Sequence, residues 1–207
     1  MTKAAALADK LRGPVADERV LAAIASIPRE RFVPARQRRR AYANAALPID
    51  CGQTISQPLV VARMLELLAL QPSDRVLDVG TGSGYHAALL SLLAAEVWSI
   101  ERHPELSAQA AEAIGALGIE NVSFVVGDGH QGFAAAAPYD AINVAAAAGE
   151  AIPPALERQL AASGRLVAPV GGEDQRLVLV QRGASGALER ADLDGVRFVP
   201  LVADGEI

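Results

Sequence analysis

The alternation of apolar and polar residues predicts three helices in the first third of the chain. They cover residues 2–12, 17–27 and 59–70. In the second helix the apolar residues recur at helical spacing, at Val20, Leu21, Ile24 and Ile27. Ser56 is predicted as the N-cap of the third helix, with Pro58 at an early helical position.

Short apolar runs bounded by turn residues predict the strands. We expect them at residues 76–79, 97–100, 122–126, 141–145, 165–171, 177–181 and 196–201. One helix is expected directly after the first strand and another from Pro153 to Gly164. Strands that alternate with helices predict a mostly parallel, doubly wound α/β sheet, whose ligand edge lies at the carboxyl ends of the strands. The last two strands are predicted as an antiparallel addition to this sheet.

A glycine-rich loop follows the first predicted strand. Its glycines are Gly80, Gly82 and Gly84, and Asp78 stands two residues before the first of them. Dinucleotide sites have the spacing G-x-G-x-x-G instead and rest a pyrophosphate on the helix N-terminus. A carboxylate at Asp78 would repel a pyrophosphate and suits a ligand with a cationic head. The loop therefore argues against a nicotinamide oxidoreductase.

Two further acidic residues are in step with this loop. Glu101 ends the second predicted strand, about 20 residues downstream, where an acid that binds ribose hydroxyls is expected. Asp128 and Gly129 follow the third strand. The alternative is that these residues form only a strand-end turn and a solvated strand end. Three acids at successive strand ends around an Asp-x-Gly-x-Gly-x-Gly loop resemble the S-adenosylmethionine-dependent methyltransferases.

That resemblance implies a role for each residue of the pattern. Asp78 would face the methionine part of S-adenosylmethionine, beside the loop residues Gly80, Thr81 and Gly82. Glu101 would bind the ribose hydroxyls, and Asp128 with Gly129 would face the adenine. The fold implied is the Rossmann-like methyltransferase fold, preceded here by N-terminal helices.

Length and composition limit the remaining choices. A chain of 207 residues with 51% hydrophobic residues fits a single domain, with residues 1–70 forming N-terminal helices and a substrate loop and residues 71–207 forming the cofactor-binding sheet. The net charge of −5 argues against a nucleic-acid partner, and the basic run at 36–40 is expected to be a solvated face rather than a phosphate site. No apolar stretch is long enough for a membrane span. One cysteine, Cys51, fits a reducing cytoplasm.

Several segments outside the glycine loop carry a more specific resemblance. Gly52-Gln53-Thr54-Ile55-Ser56-Gln57-Pro58, together with Arg29-x-x-Phe32-Val33-Pro34 and Leu47-Pro48-Ile49, resembles protein-L-isoaspartate O-methyltransferases. So do segments of the second half, at 138–142, 152–156, 164–167 and 197–201. The matching segments cover nearly the whole chain, in order.

The resemblance implies a protein-repair enzyme that acts on isoaspartyl-containing proteins and peptides. Such an enzyme methylates the displaced α-carboxylate of isoaspartate with S-adenosylmethionine, releasing S-adenosylhomocysteine, and the ester re-closes to a succinimide that opens partly to aspartate. Ser56 is the expected catalytic residue, while Gln53, Thr54 and Ile55 would line the cofactor. The alternative is that Ser56 is only a helix cap. The family also implies a monomer.

This chemistry needs little acid–base machinery. A carboxylate with a pKa near 4 is already ionised at neutral pH, so no general base is required. Catalysis then rests on holding the reacting atoms in line. The three histidines, His86, His103 and His130, are interpreted as structural or solvated, and no spacing of ligand residues indicates a metal site.

The chain departs from the family pattern at three places. Asp50-Cys51 precedes Gly52, where a glycine and a variable residue are usual. A carboxylate about 8 Å from the substrate carboxylate would cost about 2 kcal/mol at an effective dielectric of about 20, so Asp50 must point away, be paired, or indicate another acceptor. Alanines stand near Val144, where a hydroxyl is common, and Val202 stands where some members have threonine.

Two alternatives remain open at this point. The chain could be a carboxyl methyltransferase of the same fold that acts on a different peptide or small-molecule acceptor. It could also bind S-adenosylmethionine without turnover and act through its partners. Methyl transfer to an isoaspartyl peptide would exclude both.

Overall fold

The N-terminal part of the computed structural model, which describes residues 1–203, consists of three helices and a small hairpin. Its elements are α1 (Lys3–Leu11), α2 (Glu18–Ser26), β1 (Leu47–Pro48), β2 (Thr54–Ile55) and α3 (Pro58–Leu68). Two short 3₁₀ helices, Arg29–Phe32 and Ala35–Arg40, connect α2 to β1. The basic side chains at 36–40 lie on the outside of this connection, as expected for a solvated face. Residues 204–207 of the predicted domain lie outside the described residues.

The rest of the described chain forms a seven-stranded sheet with helices packed against it. Its elements are β3 (Arg75–Val79), α4 (Tyr85–Ser91), β4 (Glu96–Glu101), α5 (Pro104–Gly115), β5 (Val122–Val126), β6 (Tyr139–Val144), α6 (Pro154–Arg158), β7 (Leu160–Val170), β8 (Gln175–Arg182) and β9 (Leu188–Val196). The strand order is β5-β4-β3-β6-β7-β8-β9. The first five are parallel, while β8 and β9 are antiparallel. This is the predicted mostly parallel α/β sheet with an antiparallel addition.

The sheet buries both of its faces, and β3 shows how. Val76 packs into the cluster that contains the N-terminal helices and α3 to α5. Leu77 and Val79 point to the opposite face and pack with α6. The strand order reverses between β3 and β6, and such a reversal leaves a crevice at the carboxyl ends of the two strands. The glycine loop therefore opens at the topological switch point.

The start of α3 differs from the sequence prediction. The predicted N-cap at Ser56 is wrong, because the helix begins at Pro58 and the N-cap is Gln57, which makes no side-chain capping bond. Proline occupies the first helical position, so the cap is the residue directly before it. The Ser56 hydroxyl is therefore not used to cap the helix.

Two elements of the C-terminal half also differ. The helix predicted to run to Gly164 ends at Arg158, and Leu160 already begins β7, so the apolar residue that suggested a longer helix belongs to a strand. The last strand is Leu188–Val196 rather than 196–201, because the polar residues of β9 pair with β8 at the edge of the sheet. Helix α5 was not predicted by the apolar pattern.

The helices are short relative to a bilayer. The longest described helix, α5, has 12 residues, and no helix within residues 1–203 combines the length and apolarity required to cross a membrane.

Candidate active site

The glycine loop is held against the end of β4 by backbone hydrogen bonds. Gly80 N donates to the carbonyl of Ile100 at 2.9 Å, and Gly82 N donates to Oε2 of Glu101 at 2.8 Å. Gly80, Gly82 and Gly84 all have positive φ, at 88°, 51° and 83°. Residues other than glycine rarely adopt this conformation. The three glycines therefore let the backbone turn sharply and leave its surface open.

A row of buried polar side chains lies beneath the loop. Asp78 is in register with Ser99 on β4 and with Asn143 on β6. Its two carboxylate oxygens accept hydrogen bonds from Ser99 Oγ and Asn143 Nδ2, both at 2.8 Å. Because the Ser99 hydrogen is used in this way, Thr81 Oγ1 is the donor in its 2.6 Å contact with Ser99. The row connects three strands to the loop.

Asp78 is fully buried. Burial raises its pKa to about 6, against the opposing effect of the hydrogen bonds from Asn143 and Ser99. It does not line the cavity described below. The side chain points into the sheet and supports Thr81 through Ser99. Its role beside the methionine part of a cofactor stays a prediction.

A cavity of about 400 Å³ opens above the loop at the carboxyl ends of β3, β4 and β6. This volume lies in the range of small-molecule sites. The cavity is lined by Gln53, Thr54, Gly80, Gly82, Ile100, Glu101, Arg102, His103, Gly129, Ala145, Ala146, Val199, Pro200, Leu201 and Val202. Six of the predicted site residues are thus brought together, from four separate segments of the chain.

Glu101 and Asp128 behave differently at their strand ends. The Glu101 carboxylate lines the cavity and also accepts hydrogen bonds from the backbone N–H of Gly82 and His103. Asp128 caps the short 3₁₀ helix Gly129–Gln131 through a 2.8 Å bond from His130 N and does not line the cavity. Glu101 is therefore placed to meet a ligand, whereas Asp128 shapes the turn that presents Gly129.

Gly129 forms a close wall of the cavity. A Cβ atom there would lie 2.7 Å from Val79 Cγ1 and 3.1 Å from Leu201 Cδ1. Only glycine lets the loop after β5 approach β3 and the C-terminal segment this closely. The apolar side chains of Ile100 and Leu201 on either side could pack against a flat ring.

A second, much smaller cavity of about 30 Å³ adjoins the first. The two share Thr54, Gly80, Gly82 and Ala145 in their linings. The small cavity contains the remaining predicted residues of the loops, Ile55, Ser56 and Thr81. Within residues 1–203 the Ser56 hydroxyl makes no hydrogen bond to the protein, while the Ser56 carbonyl accepts one from Arg29. The serine hydroxyl is thus available to a ligand beside the larger cavity.

The C-terminal segment was missed as part of the site. Val199, Pro200, Leu201 and Val202 close one side of the cavity. Ala147 N donates to the Val199 carbonyl, and Leu201 N donates to the Ala147 carbonyl, at 2.8 and 2.7 Å. No local pattern predicted this position, since the segment appeared to be a strand. Its backbone bonds follow only from the way the chain returns over the end of β6.

His86 lies in the protein core, whereas His103 and the alanines that follow Val144 lie at the cavity. His86 is buried, and burial together with the charge of Arg29 lowers its pKa to about 4, so its imidazole is neutral. His103, interpreted as structural or solvated, lines the cavity, as do Ala145 and Ala146. The described part of the chain contains no cluster of three or more His, Cys, Asp or Glu that could hold a metal ion.

Asp50 and Cys51 lie in the turn between β1 and β2. The Asp50 carboxylate faces Arg36 Nη2 at 3.5 Å and Gln109 Nε2 at 3.4 Å and does not line the cavity. Of the three possibilities for Asp50, the structure shows a paired carboxylate. Cys51 and Gly52 both have positive φ, at 54° and 68°, as the central residues of a type I′ turn do.

Comparison with known proteins agrees with this geometry. The family model described as protein-L-isoaspartate(D-aspartate) O-methyltransferase (PCMT) matches residues 2–206. The chain belongs to the protein-L-isoaspartate O-methyltransferase family. A protein-L-isoaspartate O-methyltransferase from Koribacter versatilis is 54% identical over 190 residues, which cover 92% of this chain and 85% of that protein.

Solved structures of protein-L-isoaspartate O-methyltransferases have the same fold. One superimposes with a TM-score of 0.86 at 29% identity, over 96% of this chain and 66% of the other. A Plasmodium falciparum protein assigned to the same family, in complex with S-adenosyl-L-homocysteine, superimposes with a TM-score of 0.84 at 25% identity, over 98% and 99% of the two chains. The Rossmann-like methyltransferase fold is confirmed.

Proposed function

We propose that this protein-L-isoaspartate O-methyltransferase transfers a methyl group from S-adenosylmethionine to the α-carboxylate of L-isoaspartyl residues in damaged proteins. The observation that supports this most directly is the pair of adjoining cavities. The larger one is a ligand-sized site at the switch point of the sheet, and the smaller one holds a serine hydroxyl free to bind an acceptor.

The larger cavity fits S-adenosylmethionine. Glu101 offers carboxylate oxygens that can accept from ribose hydroxyls, and the wall at Ile100, Gly129 and Leu201 offers an apolar slot for the adenine. Gln53, Thr54 and the loop glycines would then lie along the methionine part. When bound, the cofactor supplies a methyl group activated by its sulfonium. Ile55 and Thr81 would border the methyl end from the small cavity.

The chain's own contribution to the reaction is positioning. The acceptor carboxylate is ionised at neutral pH, so no residue has to remove a proton. Ser56 Oγ–H would donate to one carboxylate oxygen and leave the other to attack. That second oxygen would be the one left open to accept the methyl group that the cofactor supplies. Holding the reacting atoms in line is the main source of rate.

Methyl transfer to matched peptides tests the proposal. With labelled S-adenosylmethionine, an isoaspartyl peptide should acquire base-labile label and its aspartyl twin should not. Ser56→Ala should lower kcat/KM for the isoaspartyl peptide about 10- to 100-fold, because a group that orients the reacting atoms is lost. Ser26→Ala, at an exposed serine that bonds only the carbonyl of Ala22, is the matched control.

Two results would contradict the proposal. Equal labelling of both peptides would exclude selectivity for isoaspartate. Labelling of neither peptide while S-adenosylhomocysteine binds would exclude isoaspartate as the acceptor and favour another carboxylate or a binding protein without turnover. Full activity of Ser56→Ala would refute the role of the serine.

We also propose a domain organisation, a class of partner, a cellular compartment and an oligomeric state for this protein. We expect a single methyltransferase domain, since one apolar cluster joins Leu7 of α1 to Leu177 of β8. The net charge of −5 disfavours nucleic acid as a partner, and the single cysteine fits the cytoplasm. A monomer is expected from the family. Sedimentation equilibrium measures the oligomeric state.

A further inference from the structure

Arg29 is a fully buried cation beside the Ser56 loop. It is 0% exposed, and its Cζ lies 4.8 Å from the centroid of the Tyr85 ring. No carboxylate within residues 1–203 forms an ion pair with it. Burial lowers its pKa to about 10, so it still carries its charge at neutral pH.

The donors of Arg29 are used on two backbone carbonyls. Nε donates to the Ala41 carbonyl at 2.8 Å, and Nη2 donates to the Ser56 carbonyl at 2.9 Å. These two residues are 15 positions apart in the chain, on either side of the β1–β2 hairpin. A rigid fork of N–H donors can hold two such carbonyls at once, whereas the single ammonium of lysine cannot reproduce its geometry.

Burying a cation without a counter-ion is costly because the charge loses its hydration, and an apolar side chain would pack at less cost. The cost is therefore not explained by filling space. Nη1 of Arg29, the hydroxyl of Tyr85 and Nε2 of His86 have no hydrogen-bond partner in the described part of the chain. Tyr85 and His86 line the small cavity together with Ser56. The cluster thus connects the buried cation to the place where the acceptor would bind.

We propose that Arg29 is a positioning residue, which fixes the Ser56 carbonyl so that the Ser56 hydroxyl is directed at the acceptor carboxylate. This inference rests on the proposed function. Arg29 does not line either cavity, and it acts through the backbone of Ser56.

A double-mutant cycle with Ser56 tests this role. The variants are Ser56→Ala, Arg29→Met and the combination, with Arg29→Lys as a second form that keeps a buried cation if Arg29→Met does not fold. The readouts are kcat/KM for the isoaspartyl peptide, the Kd for S-adenosylhomocysteine and the thermal midpoint. Each single variant should lower kcat/KM about 10- to 100-fold, because small displacements of a positioning group have effects of this size.

The double variant, Ser56→Ala with Arg29→Met, gives the decisive result. Ser56→Ala should lower kcat/KM less than about threefold when Arg29 is already replaced, since residues that act as one unit are not additive. The Kd for S-adenosylhomocysteine should change less than about threefold, because the cofactor site is built mainly on the strand ends. A residue that only stabilises the fold would give additive losses and a Kd that rises in parallel.

Arg165→Met is the control for the loss of a partly buried arginine outside the site. Arg165 pairs with Asp74 at 2.6 Å, next to the amino end of β3 and away from both cavities. It should lower the thermal midpoint but leave kcat/KM unchanged at temperatures where it is folded.

Additive effects of Arg29 and Ser56, or full activity of a folded Arg29 variant, would overturn this inference alone. If the wild-type protein transfers no methyl group to the isoaspartyl peptide, the proposed function fails and this inference with it. The two failures are therefore distinguished by the wild-type measurement.

Discussion

The buried Asp78 makes stability depend on pH in a way that one substitution can isolate. Asp78→Asn removes the titration but keeps the size and polarity of the side chain. The variant should still fold, because the Oδ1 atom of Asn143 has no partner among the described residues and can accept from the new carboxamide. The Ser99 hydroxyl can donate to the carboxamide oxygen.

The size of the effect follows from the pKa of Asp78. Its ordinary value is 3.8, and burial raises it to about 6 in the folded protein. Below pH 4 the carboxyl is protonated in both the folded and the unfolded chain. Between pH 4 and 6 the unfolded chain ionises first, so the free energy of unfolding falls as pH rises. Above pH 6 the loss is complete and amounts to about 3 kcal/mol.

Urea unfolding of both proteins between pH 3 and pH 8 measures this contribution of Asp78 to stability. The difference in unfolding free energy, wild type minus Asp78→Asn, should fall by about 3 kcal/mol across the window and then level off. All other titrating groups are shared by the two proteins and cancel. A difference that stays flat within 1 kcal/mol, or one that rises with pH, would show that the hydrogen bonds from Ser99 and Asn143 outweigh burial.

Two further substitutions test the backbone of the site. Gly84→Ala should lower the free energy of unfolding by roughly 2–4 kcal/mol, because its Cβ would lie 2.8 Å from that of Ala110 at a φ of 83°. Gly115→Ala is the control, because no atom lies within 4 Å of a Cβ at this position, and it should be neutral or stabilising by up to about 1 kcal/mol. Equal losses of unfolding free energy for the two variants in chemical denaturation would refute this reasoning. Cys51→Asn should raise the unfolding free energy by roughly 0.5–1 kcal/mol, since asparagine before Gly52 suits a type I′ turn; an unchanged or lower value would contradict it.

Local sequence patterns were sufficient for the parallel sheet and for much of the cofactor side. The strand ends at Gly80, Glu101 and Gly129 meet because parallel strands present their carboxyl ends at one edge. Their spacing along the chain is therefore enough to bring them together. The same reasoning locates Asp78 at a strand end but cannot tell which face of the strand its side chain is on.

Other features depend on contacts that no local pattern encodes. The cavity wall at 199–202 depends on backbone bonds to Ala147, more than 50 residues away in sequence. Leu160 was predicted to be helical because its apolar neighbours fit either the helical or the strand period. In the structure it pairs with Tyr139 of β6 and therefore belongs to a strand. Asp50 could be placed only once Arg36 and Gln109 were seen on either side of its turn.

The acceptor side of the site has a weaker scaffold than the cofactor side. The β1–β2 hairpin that leads to Ser56 pairs only two residues on each strand, and a hairpin of this size is marginal by itself. Its position must therefore come from outside contacts. Asn44 Oδ1 accepts from Leu59 N at 3.1 Å, Ile55 is buried in the core, and Arg29 holds the carbonyl of Ser56. Changes at these supports should thus alter acceptor turnover more than cofactor affinity, because none of the three lines the larger cavity.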